Sequence, residues 1–217
     1  MMKLFVWDFH GTLEFGTERA VIDISNQVLQ DFGYTQRFSA EDVERLYGLR
    51  WGQYFEDLLP SERVDKHRQL EVACFEMSRD NFDLVRKYIQ PSFYAHEVLQ
   101  AIAGSSHEQV VISNTQPQSL PRFLEAVDMQ RYFLEGYAFA TGNHLDRLGE
   151  SKEDVVRRLR GERTFEEVVA IGDSAQDVGL ARLFGGRSYL YAHPWRDFKD
   201  AEADFNIKDL REILREI

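Results

Sequence analysis

Four short apolar runs punctuate the chain: Lys3–Trp7, Gln109–Ile112, Gly136–Ala140 and Glu167–Ile171. A fifth, Ser188–Tyr191, follows the Gly185-Gly186 pair. Each is of strand length and holds β-branched or aromatic residues, so each predicts a β-strand. The stretches between them keep a different period. Leu120, Phe123, Leu124 and Val127 recur at helical spacing. Ser151 and Asp154 stand at capping-box spacing and predict a helix over Lys152–Leu159. Another helix fits Gln176–Phe184, and Ile207, Leu210, Ile213, Leu214 and Ile217 predict an amphipathic terminal helix. Strands alternating with helices imply an α/β fold, a parallel sheet covered on both faces.

The stretch from about Phe15 to Gln90 has no strand pattern. Val21, Ile24, Val28 and Phe32 mark one helix, and Ser39–Tyr47 a second, with Ser39 as N-cap and acids in its first turn. A third, long and charged, runs from about Ser61 to Tyr88. The expected division is a sheet domain over 1–15 and 91–217, with an all-helical insertion over 16–90 and Pro91 at the point of return. The aromatics Phe75, Phe82, Phe93 and Tyr94 are expected in the core, while His96, His144 and His193 show no pattern of use.

Composition narrows the function classes. At 217 residues, 43% hydrophobic and 29% charged, the chain reads as a globular protein with a full core. No run approaches the roughly 18 apolar residues of a membrane span, and no signal-peptide pattern opens the chain. With one cysteine, Cys74, there is neither an internal disulfide nor a cysteine metal site, and the expected compartment is cytoplasmic. A formal net charge of −11 argues against nucleic-acid binding. The basic cluster Arg157, Arg158 and Arg160 has acids nearby and reads as a solvated helix face. An acidic protein that handles phosphate esters needs a local cation.

Ligands of parallel sheets bind beyond the carboxyl ends of the strands, so the residues there carry the candidate chemistry. Asp8-Phe9-His10-Gly11-Thr12 follows the first strand, Ser113-Asn114-Thr115 the second, Lys152 comes several residues after the third, and Gly172-Asp173-Ser174-Ala175-Gln176-Asp177 follows the fourth. Carboxylates, a hydroxyl and a lysine suit phosphoryl transfer, where positioning and charge stabilisation dominate. A carboxylate such as Asp8 can attack phosphorus and split hydrolysis into two steps. Asp8 and Asp173 are hard oxygen ligands suited to Mg²⁺. Ser113 and nearby amides can bind phosphoryl oxygens, and Lys152 can offset charge as a compact cation.

Each residue also has a plainer structural role open to it. Asp8 fits a turn before Gly11, Ser113 and Asn114 fit a helix N-cap, Lys152 fits a solvated helix start, and Asp173 with Asp177 fits a helix N-terminus. Arg50, in Tyr47-Gly48-Leu49-Arg50-Trp51, fits a surface arginine beside a packing tryptophan.

Taken in order, Asp8-x-x-Gly11-Thr12, Ser113-Asn114, Lys152 and Gly172-Asp173-Ser174-x-x-Asp177 resemble the four signature motifs of the haloacid-dehalogenase-like superfamily, over essentially the whole chain. The resemblance implies a Rossmann-like core, a helical cap inserted after the first strand, Mg²⁺ and an aspartyl-phosphate on Asp8. It implies metal binding by Asp8, the His10 backbone carbonyl and Asp173, with Asp177 as a further candidate. Ser113, Asn114 and Lys152 would bind the phosphate. The loop around Arg50 resembles one that reaches over the site in capped relatives, which makes Arg50 a candidate for a second anionic group of the substrate.

His10 departs from the pattern. Most phosphatases of the superfamily carry a second Asp there, as general acid and then base. An imidazole, with an ordinary pKa near 6.5, can do both jobs near neutral pH. The expected activity is a Mg²⁺-dependent phosphomonoesterase acting on a small phosphorylated metabolite. The alternatives are a catalytically impaired phosphate-binding or regulatory member, or a phosphonate-cleaving relative that uses a lysine such as Lys66 or Lys87. Carbon–halogen cleavage is disfavoured by Gly172-Asp173, and mutase activity by the missing second Asp.

Overall fold

A computed structural model describes residues 2–142 and 150–217. His144 lies outside the described residues. The chain forms two compact units, Met1–Phe15 with Pro91–Ile217, and Gly16–Gln90.

The first unit is built on strands β1 (Lys3–Trp7), β2 (Glu108–Ser113), β3 (Ala138–Ala140), β4 (Glu167–Gly172), β5 (Gly186–Tyr191) and β6 (Phe205–Ile207). Among the described residues they make one sheet in the order β3-β2-β1-β4-β5-β6, every neighbouring pair parallel. This is the Rossmann-like α/β fold. The order reverses between β1 and β4, and a crevice at such a switch point is where doubly wound sheets bind ligands.

Side chains alternate across β1. Leu4 and Val6 pack with Val110, Ile112, Val168, Ala170, Val155, Val156, Leu159, Leu180 and Ala181, so helices Lys152–Glu162 and Ala175–Phe184 cover that face. Phe5 and Trp7 alternate with them and are also fully buried, as are Val98, Leu99 and Ile102 of helix Ala95–Ala103 and Leu210 and Ile213 of the terminal turns. A sheet buried on both faces needs strands apolar at nearly every position, which is why the runs were legible. The one buried indole N–H near the site end of β1, on Trp7, donates to Gln109 Oε1 at 3.2 Å.

Several expectations need correction. The third strand starts at Ala138 rather than Gly136, because Gly136 adopts a positive φ of 80° and Tyr137 N–H closes a turn onto Leu134 C=O. The terminal apolar pattern serves two elements: Ile207 ends β6, paired with Tyr191, and only Leu210–Glu216 is helical, as 3₁₀ turns. Helix Ala95–Ala103 was not anticipated. Phe82 is buried, but Phe93 and Tyr94 are about half exposed. They precede helix Ala95–Ala103 in a tight turn, Tyr94 at φ 64°, and the Arg211 guanidinium lies 3.7 Å from the Tyr94 ring.

The second unit is helical: Thr17–Asp31, Ala40–Arg45, Trp51–Leu58, Val64–Asp80 and Asp83–Arg86. The expected long helix is broken at Asn81, whose backbone leaves helical angles (φ −123°, ψ 68°). Helix Trp51–Leu58 was not anticipated. Trp51 packs there, edge-on to Phe75 at 4.8 Å, its indole N–H donating to Ser25 Oγ at 2.9 Å. Among the described residues no helix is long and apolar enough to cross a membrane.

Candidate active site

Asp8 stands one residue past β1, and its N–H still donates to Ile171 C=O of β4 at 2.9 Å. That bond holds the residue between the two strands where the sheet order reverses. The chain then turns sharply. Phe9 C=O accepts the N–H groups of Thr12, Leu13 and Glu14, a compact loop that Gly11 allows at φ 82°. Thr12 Oγ1 lies 3.4 Å from Asp8 Oδ2.

Lys152 reaches this point from the other side of the sequence. Ser151 caps its helix, accepting from Asp154 N–H at 3.1 Å, and Ser151 N–H donates to Asp154 Oδ2 at 3.1 Å. The lysine is only 2% exposed, and its Nζ lies 2.6 Å from Asp8 Oδ1 and 2.6 Å from Asp177 Oδ1. It is not the solvated helix-start residue that composition alone suggested. Burial pushes its pKa down, but the carboxylates of Asp177 and Asp8 outweigh this and hold the ammonium charged.

Asp177 owes its place to Gly172. A Cβ at Gly172 would stand 2.2 Å from the Asp177 Cβ and 2.5 Å from its Cγ. The glycine lets the first turn of helix Ala175–Phe184 fold its carboxylate back over the end of β4. Ser174 Oγ donates to Asp177 Oδ2. Asp173 Oδ2 accepts from Lys199 Nζ at 2.7 Å. The carboxylates of Asp8, Asp173 and Asp177 offer oxygens within 4.8 Å of one another, a set that can hold a metal ion. The donor set is three carboxylates, all hard oxygens, which fits a divalent cation. Asp8 is buried among these groups. Burial pushes its pKa up, Lys152 pulls it down, Asp177 and Asp173 push it up again, and it stands at about 7. A cation among the carboxylates reverses that push and restores the anion.

Ser113 ends β2 and is 1% exposed, so it is not a helix N-cap; the next helix, Leu120–Ala126, starts seven residues later. The Asn114 amide ties strand ends together, donating to Gln176 Oε1 at 3.0 Å and accepting from Thr141 Oγ1 at 3.0 Å. His10 is one-third exposed, with Phe9 and Phe123 edge-on at 5.0 and 4.9 Å and Nδ1 2.6 Å from Glu14 Oε1. Burial pushes the imidazole pKa down, but the hydrogen bond and charge of Glu14, helped by Asp8, carry it above 6.5.

A match to the haloacid dehalogenase-like hydrolase family spans residues 5–189. The chain belongs to that family. Solved structures share the fold of this hydrolase. A haloacid dehalogenase-like family protein of Streptococcus pneumoniae is 14% identical, with a TM-score of 0.73 and coverage of 100% of this chain and 98% of that one. A predicted phosphoglycolate phosphatase of Haemophilus somnus is 15% identical, with a TM-score of 0.77 and coverage of 99% and 97%. CbbY of Rhodobacter sphaeroides, solved in complex with phosphate, is 15% identical, with a TM-score of 0.68 and coverage of 98% and 96%. No curated protein sequence matches the chain.

Thus Asp8, Lys152, Asp173 and Asp177 meet at one end of the hydrolase's sheet. Arg50 belongs to the helical unit, where it is exposed just ahead of helix Trp51–Leu58. Lys66 and Lys87 are in the same unit, their ammonium groups over the rings of Phe32 and Tyr88. Sequence reasoning missed Glu14 and Lys199. A carboxylate four residues after His10, inside an otherwise apolar segment, was a usable signal for Glu14. Lys199 gave none, because it comes from an irregular stretch after β5.

Proposed function

We propose that this hydrolase is a phosphomonoesterase for small phosphorylated metabolites, with Asp8 as its nucleophile. The observation that carries the reading is the buried Lys152 ammonium, 2.6 Å from both Asp8 and Asp177, beside a third carboxylate at the sheet's switch point. Burying a lysine among carboxylates costs several kcal/mol in desolvation unless the geometry is good. Such a cluster, placed where doubly wound sheets bind ligands, suits a reaction that moves charge.

In this reading Mg²⁺ is held by Asp8, Asp173 and the His10 backbone carbonyl, with Asp177 as a further candidate, and when bound it offsets the repulsion between carboxylate and phosphate. Ser113, the backbone at Asn114, and Lys152 hold the phosphoryl oxygens. An Asp8 oxygen attacks phosphorus, and the bond from phosphorus to the ester oxygen breaks. His10 gives a proton to the departing alcohol. Water then attacks the phosphorus of the Asp8 adduct, the bond to Asp8 breaks, and His10 takes the water's proton as inorganic phosphate leaves. Substrate choice we assign to the Gly16–Gln90 unit as a cap, with Arg50 as its candidate anion-binding side chain. Lys87 is exposed and Lys66 only partly buried, whereas Schiff-base lysines are usually desolvated, which speaks against phosphonate cleavage.

A phosphate-release assay over a panel of phosphorylated metabolites with added Mg²⁺ tests the reading. Turnover by the wild type and its loss, by about 10³-fold or more, in Asp8→Asn is expected. Undiminished turnover in that variant removes Asp8 from the chemistry. Phosphate-ester binding without turnover by the wild type favours the non-catalytic alternative instead.

A further inference from the structure

Glu14 is a carboxylate only 1% exposed, and such a group is costly to bury unless something compensates it. The turn over Phe9 C=O folds Glu14 back under His10, and the Nδ1–Oε1 distance of 2.6 Å is at the short, charge-assisted end of nitrogen–oxygen hydrogen bonds. Phe9 and Phe123 meet the same imidazole edge-on at 77° and 79°. Two rings and one carboxylate therefore fix a side chain that is still one-third open on its remaining side.

We infer that Glu14 is a positioning residue for His10: it accepts a hydrogen bond from Nδ1–H, holds the ring in one orientation, and leaves Nε2 as the nitrogen that exchanges protons with substrate. This rests on the reading of His10 as acid and base. Nε2–H gives its proton to the departing alcohol oxygen, and the bare Nε2 then takes one from the attacking water. The Nδ1 proton stays on its bond to Glu14 through both halves. Carboxylates that orient a catalytic imidazole act in the same way in serine hydrolases, where replacing the acid by its amide leaves the wrong tautomer. A second-position Asp has no need of such a partner, so the buried Glu14 and the unusual His10 explain each other.

Glu14→Gln keeps the shape and removes the charge. Single-turnover release of the alcohol isolates the first step. For an alkyl phosphate, whose alkoxide must be protonated, Glu14→Gln is expected to slow release by about 10²-fold or more. For p-nitrophenyl phosphate, whose phenolate leaves without a proton, the change is expected to stay within about threefold. In a His10→Asn background Glu14→Gln should cost nothing further. Equal slowing of both esters overturns the inference and leaves the phosphatase reading intact. An independent readout is the ¹⁵N spectrum of the neutral His10 imidazole in the wild type. A dominant Nδ1–H tautomer that becomes mixed in Glu14→Gln supports the inference. A dominant Nε2–H tautomer in the wild type overturns it, whether or not any ester is turned over and however the variant folds.

Discussion

The two ends of the sheet each hold an ionic cluster, and their carboxyls are pushed in opposite directions. At the amino ends of the strands, Glu216 is buried, with Lys3 Nζ at 2.7 Å, an Arg187 nitrogen at 2.9 Å and the Tyr189 hydroxyl donating to it. Glu167 adds a second carboxylate, 3.5 Å from both cations, so two acids meet two bases. Burial pushes the Glu216 pKa up, but Lys3, Tyr189 and Arg187 outweigh it and hold the group below 4.5. At the carboxyl ends, Asp8, Asp173 and Asp177 share Lys152 and Lys199, and Asp8 is driven up to about 7. In one cluster the partners of Glu216 overcome the cost of burial; in the other those of Asp8 do not. The first ties the Leu210–Glu216 turns to the sheet, and the second is the end to which we assign the chemistry. Each holds a buried carboxylate, so burial alone does not separate structure from chemistry.

Removing a charge from each end sharpens the contrast. Lys152→Met leaves Asp8 and Asp177 buried without their ammonium, a change worth about 3–5 kcal/mol of stability at neutral pH. Urea unfolding reads this loss, and phosphate release should vanish with it; unchanged stability would mean that the two carboxylates are solvated or protonated. Glu216→Gln should cost less, about 2 kcal/mol from weakened charge-assisted hydrogen bonds, and leave phosphate release unchanged. Its pH dependence has a definite sign. A carboxyl held below its ordinary value stabilises the fold above pH 4.5, and that contribution is lost as the pH falls through the depressed value. Thermal unfolding between pH 6 and pH 3 should therefore show a shallower acid limb in Glu216→Gln than in the wild type, and parallel limbs would show that the lower cluster is not holding that proton off.

How much of this was legible in the sequence depended on whether a residue's neighbours are local. The strands of the sheet interior read clearly, because β1, β2 and β4 are apolar on both faces. Asp8, Ser113 and Asp173 followed, because strand tips can be counted. Strand β6, three residues long at the sheet edge, was read as the start of a helix, since Ile207 and Leu210 keep helical spacing. Lys152 was placed but its burial was not foreseen, since its partners lie 144 and 25 residues away in the chain. Phe93 and Tyr94 were assigned to the core on hydrophobicity, whereas a turn that puts Tyr94 at positive φ leaves both half exposed. His193 showed no pattern, yet it is buried and stacked on Trp195 at 4.8 Å, with Phe15 and Tyr191 edge-on. Those contacts join distant segments, and no local period encodes them.

We assign phosphoryl transfer through Asp8 to the carboxyl end of the sheet. His10→Asn, given p-nitrophenyl phosphate and Mg²⁺ and quenched in acid, isolates that step, because the phenolate leaves without a proton while the second half lacks its base. Mass spectrometry of the peptide that contains Asp8 should then find one phosphoryl group on that residue. Release of p-nitrophenol with Asp8 unmodified and a phosphoryl group elsewhere, or nowhere, would contradict the account.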